Sequence, residues 1–164
     1  MTVVNEYSPE FLKATDPRTN GALAPEKSGQ ILRFLPFAHT QLAAGTTGSD
    51  VVLARLPAGR VIFFPHLSRI SCSAQGTSGD VGDIGYKAYT GEDGVAVVAA
   101  LDVFDADIAM ENAYNGFMGS DHVANPAVPF NSTSGVDIII TLAITSVEVG
   151  ETINGYLVYA VVGA

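Results

Sequence analysis

The chain has no tryptophan, a single cysteine, and no lysine or arginine after Lys87. Each absence removes a class of function. One thiol cannot form an internal disulfide, and Cys72 sits in an apolar strand pattern, so it reads as a small buried side chain. No basic residue adjoins it to lower its pKa, which argues against a reactive thiol. Residues 1–87 carry eight basic and seven acidic side chains, net +1, and residues 88–164 carry ten acids and no Lys or Arg, net −10. The second half therefore has no basic side chain to clamp a phosphate or carboxylate. Nucleic-acid binding needs clustered Lys and Arg to displace counterions, and none are clustered here. The longest unbroken apolar run, Val95 to Leu101, is far too short to cross a bilayer. Glu6 and Glu10 stand where a secretory signal would place its apolar core, so no such signal is expected.

Charge is scarce as well. Charged residues are 15% of the chain, against about 25% in an average soluble domain. A surface so poor in charge fits a molecule whose neighbours cover part of it. Apolar residues make up 48%, enough for one domain of 164 residues to bury a real core.

What is present is strand and turn, and the stretch Asp50 to Ser73 shows it best. Val51-Val52-Leu53-Ala54-Arg55 and Arg60-Val61-Ile62-Phe63-Phe64 are two apolar runs split by the breaker Leu56-Pro57-Ala58-Gly59. They read as two strands with a short connection. Pro65 interrupts, and His66 to Cys72 reads as a resumed strand. Val136 to Val149 alternates most clearly: Val136, Ile138, Ile140, Leu142 and Ile144 fall on one face, Asp137, Ile139, Thr141, Ala143 and Thr145 on the other. Gly150 to Gly155 reads as a turn using Asn154-Gly155, and Tyr156 to Val162 as a last strand paired into a sheet. Gln30 to Leu35 is expected as a strand ended by Pro36, and Val81 to Tyr89 as another. Val95 to Val98 favours strand. Ala99 to Met110 has the Ala, Leu and Met of a short helix, with Asp105 and Asp107 in its first turn. Tyr114 to Gly135 reads as a long loop holding one or two short strands. About eight strands with little helix predict an all-β fold, an antiparallel β-sandwich or jelly-roll-like domain.

Residues 1–35 differ from the rest. They hold three prolines, Asn20-Gly21 and Ser28-Gly29, with four basic and four acidic side chains and no lasting period. They are expected to form an extended N-terminal arm that lies on a partner, with a loose terminus or a strand tucked under the body as the other reading, and residues 36–164 as the sandwich domain.

A search for chemistry finds no constellation. His39, His66 and His122 have no paired metal-ligand spacing. Asp102, Asp105, Asp107 and Glu111 form the densest acid cluster, but the Asp-x-Asp-x-Asp-Gly loop of an EF-hand is absent, and a solvated face is the plainer reading. There is no Gly-x-Ser-x-Gly elbow and no phosphate-binding glycine loop. Asn131-Ser132-Thr133 matches a glycosylation sequon and reads as a turn. No catalytic residue, cofactor or metal is expected, and no small-molecule substrate.

An ordered set of segments carries a resemblance. It comprises Val51-Val52-Leu53-Ala54-Arg55-Leu56-Pro57-Ala58-Gly59-Arg60-Val61, Gly82-Asp83-Ile84-Gly85-Tyr86-Lys87, Ala99-Ala100-Leu101-Asp102-Val103 and Gly155-Tyr156-Leu157-Val158-Tyr159, spanning residues 50–160. In this order they resemble the head decoration, or cement, proteins of tailed bacteriophages. The resemblance implies a virion protein on the capsid exterior, commonly a homotrimer, that clamps neighbouring major capsid protein subunits against the pressure of packed DNA and performs no reaction. The alternatives are a phage tail, baseplate or fibre module and a ligand-binding β-sandwich. Phe11, Leu12, Phe34 and Phe37 are expected as apolar anchors of the contact, with ordinary core as the other reading of Phe34 and Phe37.

Overall fold

The computed structural model describes residues 32–42, 48–75, 79–119, 127–143 and 149–162. In chain order the strands are β1 (Leu32–Thr40), β2 (Ser49–Leu56), β3 (Gly59–Phe63), β4 (Arg69–Cys72), β5 (Val81–Tyr86) and β6 (Tyr89–Thr90). They continue as β7 (Ala96–Val97), β8 (Ala100–Ala109), β9 (Tyr114–Phe117), β10 (Val128–Ser132), β11 (Val136–Ala143) and β12 (Thr152–Val161). A 3-10 turn, Pro65–Leu67, separates β3 from β4. No α-helix occurs among the described residues, and none of their helices is long and apolar enough to cross a membrane. All strand pairs among the described residues are antiparallel.

The strands form an antiparallel β-sandwich. One sheet has four strands in the order β2-β11-β5-β8. The other has six, centred on β12, which pairs with β1 along one side and with β3 and then β4 along the other. β10 extends this sheet beyond β3, and β9 extends it beyond β4. The connection Leu56-Pro57-Ala58-Gly59 carries the chain from the four-stranded sheet to the six-stranded one, with Gly59 at φ 94°. β6 and β7 form a small hairpin tied to the end of β10 by the Gly91–Ser132 bridge.

The core lies between the two sheets. Val136, Ile138, Ile140 and Leu142 of β11 face it, as their alternation predicts, and so do Val61, Phe63, Leu157 and Tyr159 of the facing sheet. Phe104 of β8 reaches across to Phe63, ring centroids 5.0 Å apart at 69°. Cys72 is buried in β4, and burial pushes its thiol up to about 12.

Several expectations need correction. Ala100–Ala109 is strand, not helix. Its pairing with β5 slips twice, between Gly82 and Ile84 and between Ile84 and Tyr86. Phe104 and Ile108 are both buried four positions apart, a spacing that one face of a strand shares with one face of a helix, so the apolar pattern alone does not tell the two apart. Asp105 is buried and Asp107 takes φ 55°, so neither sits in a helical first turn. β1 does not stop at Pro36 but runs to Thr40, which an edge strand permits because it need not donate on its open side. The expected boundary at residue 35 therefore falls inside β1, and residues 1–31, including Phe11 and Leu12, lie outside the described residues. The strand foreseen over His66 to Cys72 begins only at Arg69, because Pro65 opens a turn whose amides bond back to Phe64 and Pro65. Asn154 and Gly155 belong to β12, and the turn before it is made by Gly150 at φ 94°. Asn131 and Ser132 close β10 rather than forming a turn. Tyr114 to Gly135 does hold two short strands, and residues 120–126, with His122, lie outside the described part. The same is true of residues 144–148, at the far end of the expected Val136 to Val149 strand.

Candidate interaction surface

Directly opposed residues in a sheet point to the same face. The registers therefore sort every strand residue into inward and outward. In the six-stranded sheet Val61, Phe63, Ile70 and Cys72 are inward, with Tyr159 opposite Phe63, Ile153 opposite Cys72 and Leu157 opposite Leu35 of β1. The outward set forms two rows that cross the sheet. One row runs Pro36, Tyr156, Arg69, Phe117. The other runs Leu32, Ala160, Ile62, Pro129. Between them lie Phe34 and Val158.

This outer face is apolar and open at its flanks. Phe34 is 66% exposed, Phe117 48% and Leu32 45%, while Val158 and Ala160 on the central strand are buried. Phe34 packs edge-on against Tyr156, centroids 5.6 Å apart. Its paired strand positions include no acid, and its two cations are Arg60 and Arg69. Arg69 lies 5.0 Å above the Phe117 ring and donates to Asn115 Oδ1 at 3.0 Å. A hollow of about 310 Å³ opens there, beside Asn154 and Tyr156. Ser68 holds this sheet together where β3 gives way to β4. Its hydroxyl donates to the Phe64 carbonyl and accepts from Val158 N–H, at 2.9 and 2.8 Å.

The outer face of the four-stranded sheet is of the other kind. Arg55 donates through Nε and Nη2 to the two carboxylate oxygens of Asp137 at 2.6 and 2.8 Å. This pairing holds the Asp137 carboxyl below its ordinary value and raises Arg55. Lys87 meets Asp50 at 3.5 Å, Thr141 donates to Asp50 at 3.0 Å, and Asp83 accepts from the Asp107 amide at 2.9 Å. Charge solvates this side, and apolar surface dominates the other.

A cleft of about 570 Å³ opens at one end of the apolar face. Ile62, Tyr89, Val97 and Phe130 are among the residues that line it, with Arg60 contributed by β3 and Glu92 and Asp93 by the β6–β7 turn. Asp93 Oδ1 accepts from the Val95 amide at 3.0 Å. No ion pair joins Arg60 to Glu92 or Asp93 among the described residues.

Of the residues singled out in the sequence, Phe34 lies on the outer face. Phe37 is on the opposite side of β1, half-buried against the core. His39 bonds Gln41 at 3.1 Å, and His66 packs edge-on to Phe64. Among the described residues no group of three His, Cys, Asp or Glu is placed to hold a metal ion. Of the acid cluster, Asp105 is buried in β8, Asp102 and Asp107 are exposed, and Glu111 accepts from the Gly79 amide at 2.9 Å. Leu32, Phe117 and Tyr156 were not legible as surface residues, because only the strand order brings them onto one face.

No protein-family model matches the chain, and no curated protein does. Solved structures do. A chain of the cyanophage Pam1 capsid asymmetric unit is similar at 11% identity with a TM-score of 0.46, over 80% of this chain and 86% of that one. A chain of infectious bursal disease virus, Gx strain, is similar at 13% identity and a TM-score of 0.48, over 82% of this chain and 32% of that one. This chain thus spans about a third of that viral protein's length. A chain of the acid-stable capsid of Helicobacter pylori bacteriophage KHP30 is similar at 12% identity and a TM-score of 0.39, over 81% and 90%.

Proposed function

We propose that this chain is a bacteriophage virion structural protein. In this reading it sits on the capsid exterior as a homotrimer and clamps neighbouring major capsid protein subunits. It carries out no reaction and needs no cofactor. The observation that carries the reading is the contrast between the two outer faces. One is solvated by paired charges, and the other exposes Phe34, Phe117 and Leu32 without a single acid at its paired strand positions. Contiguous exposed apolar surface is rare on a monomer and marks a contact with another molecule. The low charge of the whole chain agrees with that.

A clamp gains from symmetry. Three equivalent patches bind together, and release needs all three to open. Residues 1–31 add contact by lying along a neighbour, with Phe11 and Leu12 as anchors and Phe34 as the anchor on the body. Phe37 serves from behind, buttressing β1 against the core.

The test is attachment to purified capsids that lack the protein. Phe34→Glu is expected to keep its unfolding midpoint, since the side chain is largely solvent-exposed, and to weaken attachment by about tenfold or more. Removal of residues 1–31 is expected to leave a folded body that attaches less well. Electron microscopy of virions is expected to show the protein on the shell. Copurification with tails instead would make it a tail module, and unchanged attachment by both variants would remove the face and the arm from the contact.

A further inference from the structure

The cleft beside the apolar face has a distribution of charge that names an occupant. Its lining is apolar, through Ile62, Val97 and Phe130, with a cation from β3 and two acids from the β6–β7 turn. A fitting peptide therefore presents adjacent apolar side chains flanked by one acid and one base. The chain contains such a segment outside the described residues, Glu10-Phe11-Leu12-Lys13.

We propose that the cleft seats this segment of the chain itself. Phe11 and Leu12 would enter the apolar floor, Glu10 would meet Arg60, and Lys13 would meet Glu92 and Asp93. Placement favours it. β1 begins at Leu32, and the row from Leu32 through Ala160 and Ile62 to Pro129 leads along the sheet to the cleft. Strands are spaced by about 4.8 Å, so Ile62 lies on the order of 10 Å from Leu32. The linking chain from residue 11 to residue 32 reaches up to about 70 Å if extended. It is therefore long enough to return to the cleft of its own copy or to enter that of a neighbour. Burial of two apolar side chains contributes favourably, and the two charge contacts fix the direction of the segment in the cleft. Seating in a neighbour deepens the trimer reading and rests on it. The seating itself stands without any capsid.

The experiment uses the full-length chain carrying Leu12→Cys and Asn131→Cys, the latter on the cleft wall. Cys72 is buried and its thiol is pushed up to about 12, so it does not compete at neutral pH. Mild oxidation is expected to form the 12–131 disulfide. Moving the second cysteine to Thr141, on the charged face, is expected to abolish it. Adding Arg60→Glu is expected to cut the yield by about fivefold, the scale set by losing a partly exposed ion pair, and Glu10→Arg is expected to restore it. Lys13→Glu with Asp93→Lys gives the same rescue from the other side and guards against a folding defect at position 60. A cross-link between two copies supports the seating and keeps Phe11 and Leu12 as anchors on a neighbour. A cross-link within one copy, which a non-reducing gel tells apart, supports the seating and removes those two side chains from the contact with a neighbour. Equal yield at positions 131 and 141, or a yield that ignores both charge pairs, overturns it. Capsid attachment is scored separately, so loss of the cross-link with retained attachment removes only this inference.

Discussion

Phe104 shows how much one side chain contributes here. It is fully buried, and its ring neighbours include Phe63 in the facing sheet at 5.0 Å, Tyr86 at 6.1 Å and Phe130 at 6.4 Å. Truncation leaves a cavity that the flanking strands cannot close. Phe104→Ala is expected to lower stability by about 3–5 kcal/mol in urea denaturation, a large share of the roughly 5–15 kcal/mol typical of a domain. A cost below about 1 kcal/mol would mean that the two sheets are not packed through this ring. Cys72 gives a prediction in pH. Burial raises its folded pKa from 9.0 to about 12, whereas the unfolded thiol ionises near its ordinary value. The buried neutral thiol therefore stabilises the fold in full below about pH 9, and that contribution is lost as the pH rises towards 12. The stability difference between the natural chain and Cys72→Ala is expected to shrink across that window, measured by denaturation at stepped pH. The same burial explains why Cys72 is expected to resist alkylation until the protein unfolds.

β8 is the element where local sequence and tertiary structure part company. Its buried Phe104 and Ile108 stand four apart, a spacing that a strand face and a helix face share, and its pairing with β5 slips, in part at Asp107. A non-glycine residue at φ 55° costs energy, which Asp tolerates better than most, and its amide is held by Asp83 Oδ1. Asp107→Gly is therefore expected to leave stability unchanged or raise it slightly, and Asp107→Val to lower it by about 1–2 kcal/mol. If both variants unfold at the same midpoint, the backbone there is not left-handed. β1 and β12 teach a related lesson. Pro36 reads as a strand end and Asn154-Gly155 as a turn, yet both lie within paired strands. An edge position tolerates the missing amide of Pro36. Gly155 is needed for closeness rather than for φ, because a Cβ there would fall on the Arg69 carbonyl of β4 and on the Phe37 ring. β11 was legible because one of its faces meets the core without interruption. Where a bulge, an edge or a close approach decides the residue, the local pattern points elsewhere.

For the whole molecule, the fold class was written in the alternation of strands and turns, but the candidate surface was not. Phe34 is adjacent in sequence only to other residues of β1. Its company of Tyr156, Phe117 and Ile62 exists because β12 sits at the centre of the sheet, with β1 on one side and β3 and β4 on the other. No local window contains that order. The resulting asymmetry has a consequence for association. Each copy carries a net charge of −9, so copies repel at long range, while the face proposed for contact is apolar with two arginines. Salt shortens the reach of the repulsion, from about 30 Å at 0.01 M to about 3 Å at 1 M, and leaves apolar burial intact. Self-association by sedimentation, and attachment to capsids, are therefore expected to hold or strengthen as salt rises across that range. A contact built on ion pairs does the opposite. A fall in affinity of about tenfold or more between those limits would assign the contact to the charged face of the four-stranded sheet, and Phe34 and Phe117 would then be bystanders.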